Sequence, residues 1–566
     1  MYHRILTLLA LPSLCFASAS GDAVATSVDL SNGVNPPAMR PEVSGRSGAV
    51  VAGHPLAAEA GLDVLRRGGN ATDAAVTMAA MLTVLRPHMN GVGGDAFALF
   101  YSGSDQVVEA LNASGRAGEL ATPEYYRERG HERVPGTGAL AVTVPGVVAG
   151  WQDALQRHGS IRLAEALEPA IRVAREGFVV SDKLAQDLES ASARLNPAGQ
   201  KTYRPGGEAL RAGDLLKSPE LAETLQQLAD QGPQHLYGGE LGVVVTDFLE
   251  QSGSALRLED FAAHQSEWTD PISTDFHGYR IHTSPPNSQG VVLLQMLAMA
   301  EQLPLSQRAP RSAQLLHDLV EIQKLAFADR DRWVADPDFS DTDAQARLLA
   351  TLLDPEYLAT RVAQISPQAA HQRSSGIAEP DGDTVYLMAV DADGNAVSWI
   401  QSVFGVFGSD LIVPDTGIVL QNRGAGFTLE DGHPNQIAPG KRPFHTLMAG
   451  LVTHPDGRFH MTIGTPGGSG QPQFILQTLI ETLVHHQSPQ QAVEAPRFRV
   501  GSGTQLYLDH RFSPQLRSAL ESRGHHLIPT PAWTPTFGSL QIIQQLPNQT
   551  LRTGSDLRRE SAARAY

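Results

Sequence analysis

Alternating apolar positions predict a β-hairpin between residues 385 and 400. Val385, Leu387 and Ala389 would lie on one face of a strand and the apolar residues between them on the other. The turn sequence Asp393-Gly394-Asn395 then leads into a second apolar run, Ala396 to Ile400. The pattern therefore predicts two antiparallel strands joined by a tight turn.

The region before this hairpin shows helical periodicity. A helix with Leu56, Ala60 and Val64 on its apolar face is predicted, ended by Gly68-Gly69. A second, strongly apolar helix is predicted from Ala74 to Leu85. Both helices have the pattern of packing elements.

The remaining chain contains a glycine-rich turn and several helical stretches. The glycine-rich stretch Asn90 to Phe97 predicts a tight turn that enters a strand, and it lacks the spacing of a nucleotide-binding loop. The stretch Leu163 to Ser254 is mostly helical in pattern, and further helices are predicted at Ser284 to Met299, His317 to Trp333 and Phe474 to His485.

The first 19 residues have the composition of a secretory signal. Arg4 precedes an apolar run from Ile5 to Phe16, and Ala17-Ser18-Ala19 fits an A-x-A cleavage site. The run is too short to span a bilayer comfortably. We therefore predict export, to the periplasm or the medium, with no membrane attachment after signal removal. Because Cys15 is the only cysteine of the 566 residues, the mature protein would contain no disulfide, cysteine-bound zinc or cysteine nucleophile.

Charge and histidine spacing narrow the function classes further. The chain carries 43 Lys and Arg against 60 Asp and Glu, a net charge of −17 without a basic stripe, which argues against nucleic acid as a partner. The histidines, including His485-His486, show no H-E-x-x-H or comparable spacing. We predict no metal and no cofactor.

Several motifs together carry a family resemblance. Gly382-Asp383-Thr384 precedes the hairpin, which is followed by F-G, T-G-I-x-L-x-N and G-K-R-P segments, and residues 54–76 read H-P-L-A-x-x-A-G-x-x-V-L-R-x-G-G-N-A-x-D-A-A-V. This wording resembles the γ-glutamyltransferase family of N-terminal-nucleophile hydrolases.

The resemblance implies a fold and a processing event. The fold would be α/β (α+β), a four-layer αββα sandwich that forms one unit. The precursor would cut itself between Asp383 and Thr384, giving a large subunit of residues 20–383 and a small subunit of residues 384–566. Thr384 would then be the nucleophile, and its new α-amine, with a pKa of about 7.7 to 8.0, the base.

The resemblance also implies the groups that assist Thr384. Gly467 and Gly468 correspond to a family pair whose backbone N–H groups form the oxyanion hole, where glycine gives an acyl group close access to the backbone. Ser402 stands where the family has a second hydroxyl bonded to the nucleophile.

The substrate-binding positions depart from the family pattern. The family holds the substrate's α-carboxylate with an arginine and a serine pair. Here Ser114 and a displaced Arg116 correspond to the arginine segment, and His445 and Thr446 replace the serines. On the side that binds the α-amine both acidic residues are lost, and Arg423 occupies that segment. A buried ammonium without a carboxylate is costly, so the sequence predicts an acyl group that carries an acid but not the usual amino-acid head.

Three functions follow from this comparison. The first is hydrolysis or transfer of the acyl group of γ-glutamyl or related small-molecule amides through an acyl-Thr384 intermediate. The second is a dicarboxylate-amide acylase or amidohydrolase, similar to glutaryl-cephalosporin acylases or oxamate amidohydrolases. The third, a non-catalytic exported binding protein, is disfavoured because Thr384, Gly467 and Gly468 are all present. Self-cleavage distinguishes the enzymes from the binding protein, and the two fragments would remain partners.

Overall fold

The computed structural model describes residues 38–339, 342–368 and 382–566. The predicted signal and most of the polar loop that precedes Gly382 lie outside the described residues. Within these ranges, no helix combines the length and apolar character needed to cross a bilayer.

The described chain contains both strands and helices. The strands are β1 (Ser44–Gly45), β2 (Ala49–Ala52), β3 (Asp95–Tyr101), β4 (Val108–Ala113), β5 (Phe178–Val179), β6 (Leu215–Leu216), β7 (Glu267–Thr269), β8 (Ile272–Phe276), β9 (Tyr279–Thr283), β10 (Gly382–Val390), β11 (Ala396–Gly405), β12 (Gly450–Thr453), β13 (Phe459–Gly464), β14 (Phe498–Val500), β15 (Gln505–Asp509), β16 (His526–Thr530), β17 (Gln541–Gln545), β18 (Leu551–Ser555) and β19 (Ala562–Ala565). The helices are α1 (Pro55–Arg66), α2 (Ala71–Leu85), α3 (Pro123–Arg127), α4 (Val147–His158), α5 (Leu163–Glu176), α6 (Asp182–Ala191), α7 (Pro197–Tyr203), α8 (Pro219–Gln231), α9 (Gln234–Tyr237), α10 (Glu240–Gln251), α11 (Leu258–Ala262), α12 (Gly290–Glu301), α13 (Ala313–Trp333), α14 (Thr342–Leu352), α15 (Pro355–Val362), α16 (Gly470–Leu479), α17 (Pro489–Glu494) and α18 (Pro514–Glu521).

Two large antiparallel sheets form the centre of the molecule. The first sheet has the strand order β19-β2-β10-β11-β3-β4-β7, and the second has the order β1-β18-β17-β13-β12-β9-β8. The predicted hairpin is confirmed as β10 and β11, at the middle of the first sheet. Its turn is held by Asp391, whose carboxylate accepts from the N–H groups of Asp393 and Asn395 and also from that of Ala71 at the start of α2.

Three hydrophobic layers define the sandwich. Between the sheets, Tyr386, Met388 and Ile400 of the first pack with Leu451 and Ile543 of the second. The opposite face of the first sheet packs against α1, α2 and α4, and the outer face of the second packs against α12, α13 and α16. The fold is therefore the expected four-layer αββα arrangement.

The structure corrects the predicted face of the first helix. Leu56 is 45% exposed, and the buried face of α1 consists of Ala57, Ala58, Gly61, Leu62 and Leu65. Small residues dominate this face because α1 packs closely on α2, where a methyl group on Gly61 would come within 2.6 Å of the Met78 side chain.

Several helix boundaries also differ from the prediction, and α12 and α13 begin at Gly290 and Ala313. The second helix begins at Ala71, because Asn70 caps it and accepts from the N–H groups of Thr72 and Asp73. The helix predicted from Phe474 begins earlier, and α16 is followed by one π-helical turn, Ile480–Val484.

The two sheets are in close contact at Gly464, the last residue of β13. A methyl group on Gly464 would lie 1.8 Å from a ring carbon of Tyr386. The Tyr386 hydroxyl donates to the Ile463 carbonyl at 3.2 Å and also bonds to the Ser398 hydroxyl, so the ring has little room to move.

Gly464→Ala is therefore expected to lower the free energy of unfolding by roughly 1 to 3 kcal/mol or more, because the added methyl group overpacks the contact with Tyr386. Chemical denaturation of the purified protein measures the change. Gly136→Ala is the matched control, since nothing lies within 4 Å of its added methyl group, and its effect should stay within about 1 kcal/mol. Equal stability of both variants would contradict this account of the contact.

Candidate active site

Thr384 lies on β10 opposite a β-bulge in β11. Between the pairs Asp383–Phe404 and Val385–Gln401, β10 contributes only Thr384 whereas β11 contributes Ser402 and Val403. Alternation along β10 places Thr384 on the same face as Tyr386, which packs between the two sheets. The side chain is 2% exposed. Its Oγ1 donates to Ser402 Oγ at 3.3 Å, and Ser402 Oγ also accepts from the Phe404 N–H at 2.7 Å. The two hydroxyls predicted to act together are therefore in contact.

The contacts between β10 and β13 run in the direction of Thr384 and the glycine loop after β13. Along β10, Met388 contacts Thr462, and Tyr386 contacts Ile463 and Gly464. Continuing by two residues reaches Thr384 on one strand and the loop 465–468 beyond the other. In this loop Gly467 and Gly468 have φ values of 133° and 53°, a conformation that favours glycine.

One buried glutamine joins the glycine loop to the predicted substrate segment. Gln289 Nε2 donates to the carbonyl of Thr446 at 2.7 Å and to that of Gly468 at 3.0 Å. Arg330 orients the amide by donating to Gln289 Oε1 at 3.2 Å. Sequence analysis did not single out Gln289 or Arg330, although each lies in a segment that it predicted to be helical or to begin a helix.

A second buried pair, Asp95 and His445, lies beside Ser402. Asp95 is the direct partner of Ser402 across the β3–β11 ladder. His445 Nδ1 accepts from the Leu447 N–H at 3.3 Å, so its Nε2 carries the hydrogen and donates to Asp95 Oδ2 at 3.3 Å. Burial and the charge of Arg423 hold the pKa of His445 well below its usual value, which keeps the imidazole neutral.

Burial also raises the pKa of Asp95 to about 7. The charge of Arg423 and the backbone N–H groups of Gly115 and Gly146 oppose this rise by stabilising the carboxylate. The sequence signal for Asp95 was its place directly after a glycine run at the start of a strand, which we interpreted as a turn only.

Arg423 brings a positive charge into the same region. Its side chain is buried, with the residue 1% exposed, and the guanidinium stacks over the ring of Phe404 at 4.0 Å from the centroid. Nη1 donates to Thr446 Oγ1 at 3.2 Å. Since Phe404 follows Ser402 by two residues on β11, the guanidinium and Thr446 lie next to the strand that carries Ser402.

The structure places the two other predicted substrate-binding residues differently. Arg116 lies in an ionic cluster, 2.9 Å from Glu267 and 2.6 Å from Asp338. Ser114 donates to Asn112 Oδ1 at 2.7 Å and accepts from Asn287 Nδ2 at 3.3 Å.

These two residues connect to the rest of the site in different ways. Asn287 links Ser114 to the segment of His445, because its carbonyl accepts from the His445 N–H at 2.9 Å. The contacts of Arg116 lead instead to Arg442, which also pairs with Glu267 and Asp338.

An αββα sandwich with a buried threonine at the end of a central strand defines the class of N-terminal-nucleophile hydrolases. Comparison with known proteins places the chain within this class. The Gamma-glutamyltranspeptidase family model matches residues 57–566. The chain therefore belongs to the γ-glutamyltranspeptidase family. It is a self-processing enzyme that hydrolyses amides or transfers their acyl groups.

Individual relatives cover nearly the whole chain. The chain is 37% identical to the Glutathione hydrolase-like YwrD proenzyme of Bacillus subtilis, over 93% of its own length and 99% of the relative's. It is 35% identical to the Oxamate amidohydrolase proenzyme of Klebsiella pneumoniae, over 92% and 98% of the two chains. The crystal structure of cephalosporin acylase from Bacillus halodurans superposes with a TM-score of 0.88 at 36% identity, covering 94% of this chain and 98% of that one.

The raised pKa of Asp95 predicts a specific effect of pH on stability. Between the ordinary carboxyl pKa of 3.8 and about 7, the folded protein holds this proton more tightly than the unfolded chain does. The stability of the wild type relative to Asp95→Asn should therefore fall as pH rises from 4.5 to 8, by roughly 1.4 kcal/mol for each unit of pKa shift. Urea denaturation of both proteins at several pH values measures this.

Asp105→Asn serves as the control, because Asp105 is fully exposed and its pKa is lowered. Its relative stability should not change over this pH range. A wild-type stability that rises or stays constant relative to Asp95→Asn would show that the Asp95 carboxylate is stabilised, not destabilised, by its surroundings.

Proposed function

We propose that Thr384 is both the site of self-cleavage and the nucleophile of the mature enzyme. In the precursor, Oγ1 of Thr384 would attack the Asp383 carbonyl and form an ester as the peptide C–N bond breaks. Hydrolysis of the ester then leaves a carboxylate on Asp383 and a free α-amine on Thr384. The contact with Ser402 supports the assignment, as does the position of Thr384 opposite the β11 bulge, where the register brings Ser402 beside its hydroxyl.

The mature reaction would use the same groups. The Thr384 α-amine takes the hydroxyl proton as Oγ1 attacks the substrate amide, and Ser402 orients that hydroxyl. Gly467 and Gly468 would donate their N–H groups to the oxyanion, a contribution on the order of 3 kcal/mol each. Water then hydrolyses the acyl-Thr384 ester, or an amine accepts the acyl group. No cofactor or metal takes part in this scheme.

The buried guanidinium of Arg423 determines the acyl group that we propose. Held by Phe404 and Thr446 beside the catalytic strand, it suits a carboxylate and repels an ammonium. We therefore infer that the preferred donors are monoamides of dicarboxylic acids without an α-amino group, of the glutaryl or oxamate kind. Similarity to an oxamate amidohydrolase and to a cephalosporin acylase supports this choice.

γ-Glutamyl amides are the second candidate donors. Asp95 favours these donors, because its carboxyl group interacts electrostatically with Arg423 and, when ionised, could offset the charge of a substrate ammonium. Similarity to a glutathione hydrolase-like proenzyme is consistent with this alternative.

We further propose that residues 1–19 direct export to the periplasm or medium. We also propose that Ser114 and His445 help to shape the acyl site, with Arg116 at its rim.

Thr384→Ala should leave a single uncut chain without amidase activity, because the hydroxyl that starts both reactions is gone. Gel electrophoresis should show two fragments for the wild type, and sequencing of the smaller one should begin Thr-Val-Tyr-Leu. Ser513→Ala is a suitable control, since this hydroxyl only caps α18, and it should be cut normally. An intact wild-type chain that remained an active amidase would disprove the mechanism.

Arg423→Gln should reduce kcat/KM for a glutaryl anilide by about tenfold to a hundredfold, as expected for a charged hydrogen bond worth roughly 1.5 to 3 kcal/mol. The matched γ-glutamyl anilide should lose less, because removing the cation also removes its repulsion of the ammonium. Steady-state kinetics with both anilides on one preparation measures the two effects.

Arg129→Gln is the control for this experiment, since Arg129 is exposed and its guanidinium lies over Tyr125, where it bonds to that residue's carbonyl. It should leave both rates unchanged. A wild-type preference of roughly a hundredfold for the γ-glutamyl anilide would favour the second candidate and contradict the acid-binding role of Arg423.

A further inference from the structure

A cluster of potential metal ligands lies outside the proposed catalytic site, in the helical layer of the second sheet. His317 and Glu321 lie on α13 four residues apart, which places them on one face of the helix, and His525 immediately precedes β16. One ligand atom from each side chain lies within 4.8 Å of the other two. All three residues are buried.

The hydrogen bonds of His317 orient a lone pair toward this cluster. Its Nε2 lies 2.7 Å from the carbonyl oxygen of Ser366, which only accepts, so Nε2 carries the hydrogen. Its Nδ1 faces His525 Nε2 at 2.9 Å and therefore presents the lone pair. Histidines that bind metals typically donate their second N–H to a backbone carbonyl in this way.

Glu321 has the arrangement of a partly satisfied ligand. Its Oε1 forms an ion pair with the Lys324 ammonium. In the described part of the chain, Oε2 has no hydrogen-bond partner, although the side chain is fully buried. An unsatisfied buried carboxylate oxygen is costly, and an ammonium on the other oxygen is compatible with metal binding, since ligating carboxylates are themselves commonly hydrogen-bonded.

We propose that His317 Nδ1, Glu321 Oε2 and His525 Nε2 bind a divalent transition ion of the zinc class, with water as the fourth ligand. At a metal–nitrogen distance of about 2.0 to 2.1 Å, tetrahedral geometry separates two ligand nitrogens by about 3.3 Å. The observed 2.9 Å between the imidazoles has to open by only a few tenths of an ångström. Two nitrogen ligands favour zinc over calcium or magnesium, which prefer oxygen.

The position of the cluster gives the ion a structural consequence. His317 and Glu321 precede the proposed cut after Asp383, whereas His525 follows it. In the processed enzyme the ion would therefore connect the large and small fragments. This consequence rests on the proposed cleavage, but binding of the ion does not, so the uncut Thr384→Ala variant should bind it equally well.

The test is metal binding by the full-length protein after treatment with a chelator. Equilibrium dialysis with Zn²⁺ should give one ion per chain for the wild type and for Thr384→Ala, and Co²⁺ should give the visible absorption bands of a tetrahedral site. His525→Ala and Glu321→Gln should weaken Zn²⁺ binding at least tenfold. His526→Ala, a neighbouring exposed histidine, is the matched control and should bind as the wild type does.

A readout of fragment association tests the connecting role. Zn²⁺ should raise the urea concentration at which the two wild-type fragments separate, and it should not do so for Glu321→Gln. The proposal would be overturned if the wild type bound less than a fifth of an equivalent of Zn²⁺. It would equally be overturned if His525→Ala and Glu321→Gln bound zinc and cobalt as tightly as the wild type. If the wild-type chain bound zinc normally but never cut itself, the metal site would be supported and only the proposed cleavage would be disproved.

Discussion

The direction in which each residue of β10 points determines where the active site is formed. Val385 and Leu387 pack against helices, whereas Tyr386 packs against the second sheet. Because a slip of one residue would exchange the two faces, the bulge beside Thr384 and the close fit of Tyr386 at Gly464 fix the hydroxyl in the space between the sheets. The position of Ser402 and of the glycine loop depends on the same register.

The local elements of this fold were readable from the sequence to different degrees. The β10–β11 hairpin was predictable because its apolar alternation and its Asp-Gly-Asn turn agree with one another. The face of α1 was not, because it is defined by close contact through small residues such as Gly61 and not by the largest apolar side chains. Hydrophobicity patterns identify large buried groups better than they identify close helix packing.

Resemblance and geometry contributed differently to the candidate site. Thr384, Ser402 and the glycine pair came from motif wording, whereas Asp95, Gln289 and the cluster around His317 became visible only in the fold. The partners of these latter groups are far away in sequence, and the residues next to them in the chain form no recognisable motif. The cluster illustrates this most directly, since two of its residues share a face of α13 while His525, just before β16, lies about 200 residues further along the chain.

Each sheet contains strands from both proposed fragments, which explains how this fold could tolerate a cut in β10, a central strand of the first sheet. In the first sheet, β2 of the proposed large fragment lies between β19 and β10, and β3 of the large fragment pairs with β11. The strands β10, β11 and β19 belong to the proposed small fragment apart from the first two residues of β10. The second sheet likewise places β12 of the small fragment next to β9 of the large one. The proposed break of one peptide bond would remove none of these ladders or the core between them, so the fragments would remain one folded body. At the proposed cut, the new amine would arise inside a site whose walls are already complete, which is the condition that would let one threonine act first on its own chain and afterwards on a substrate.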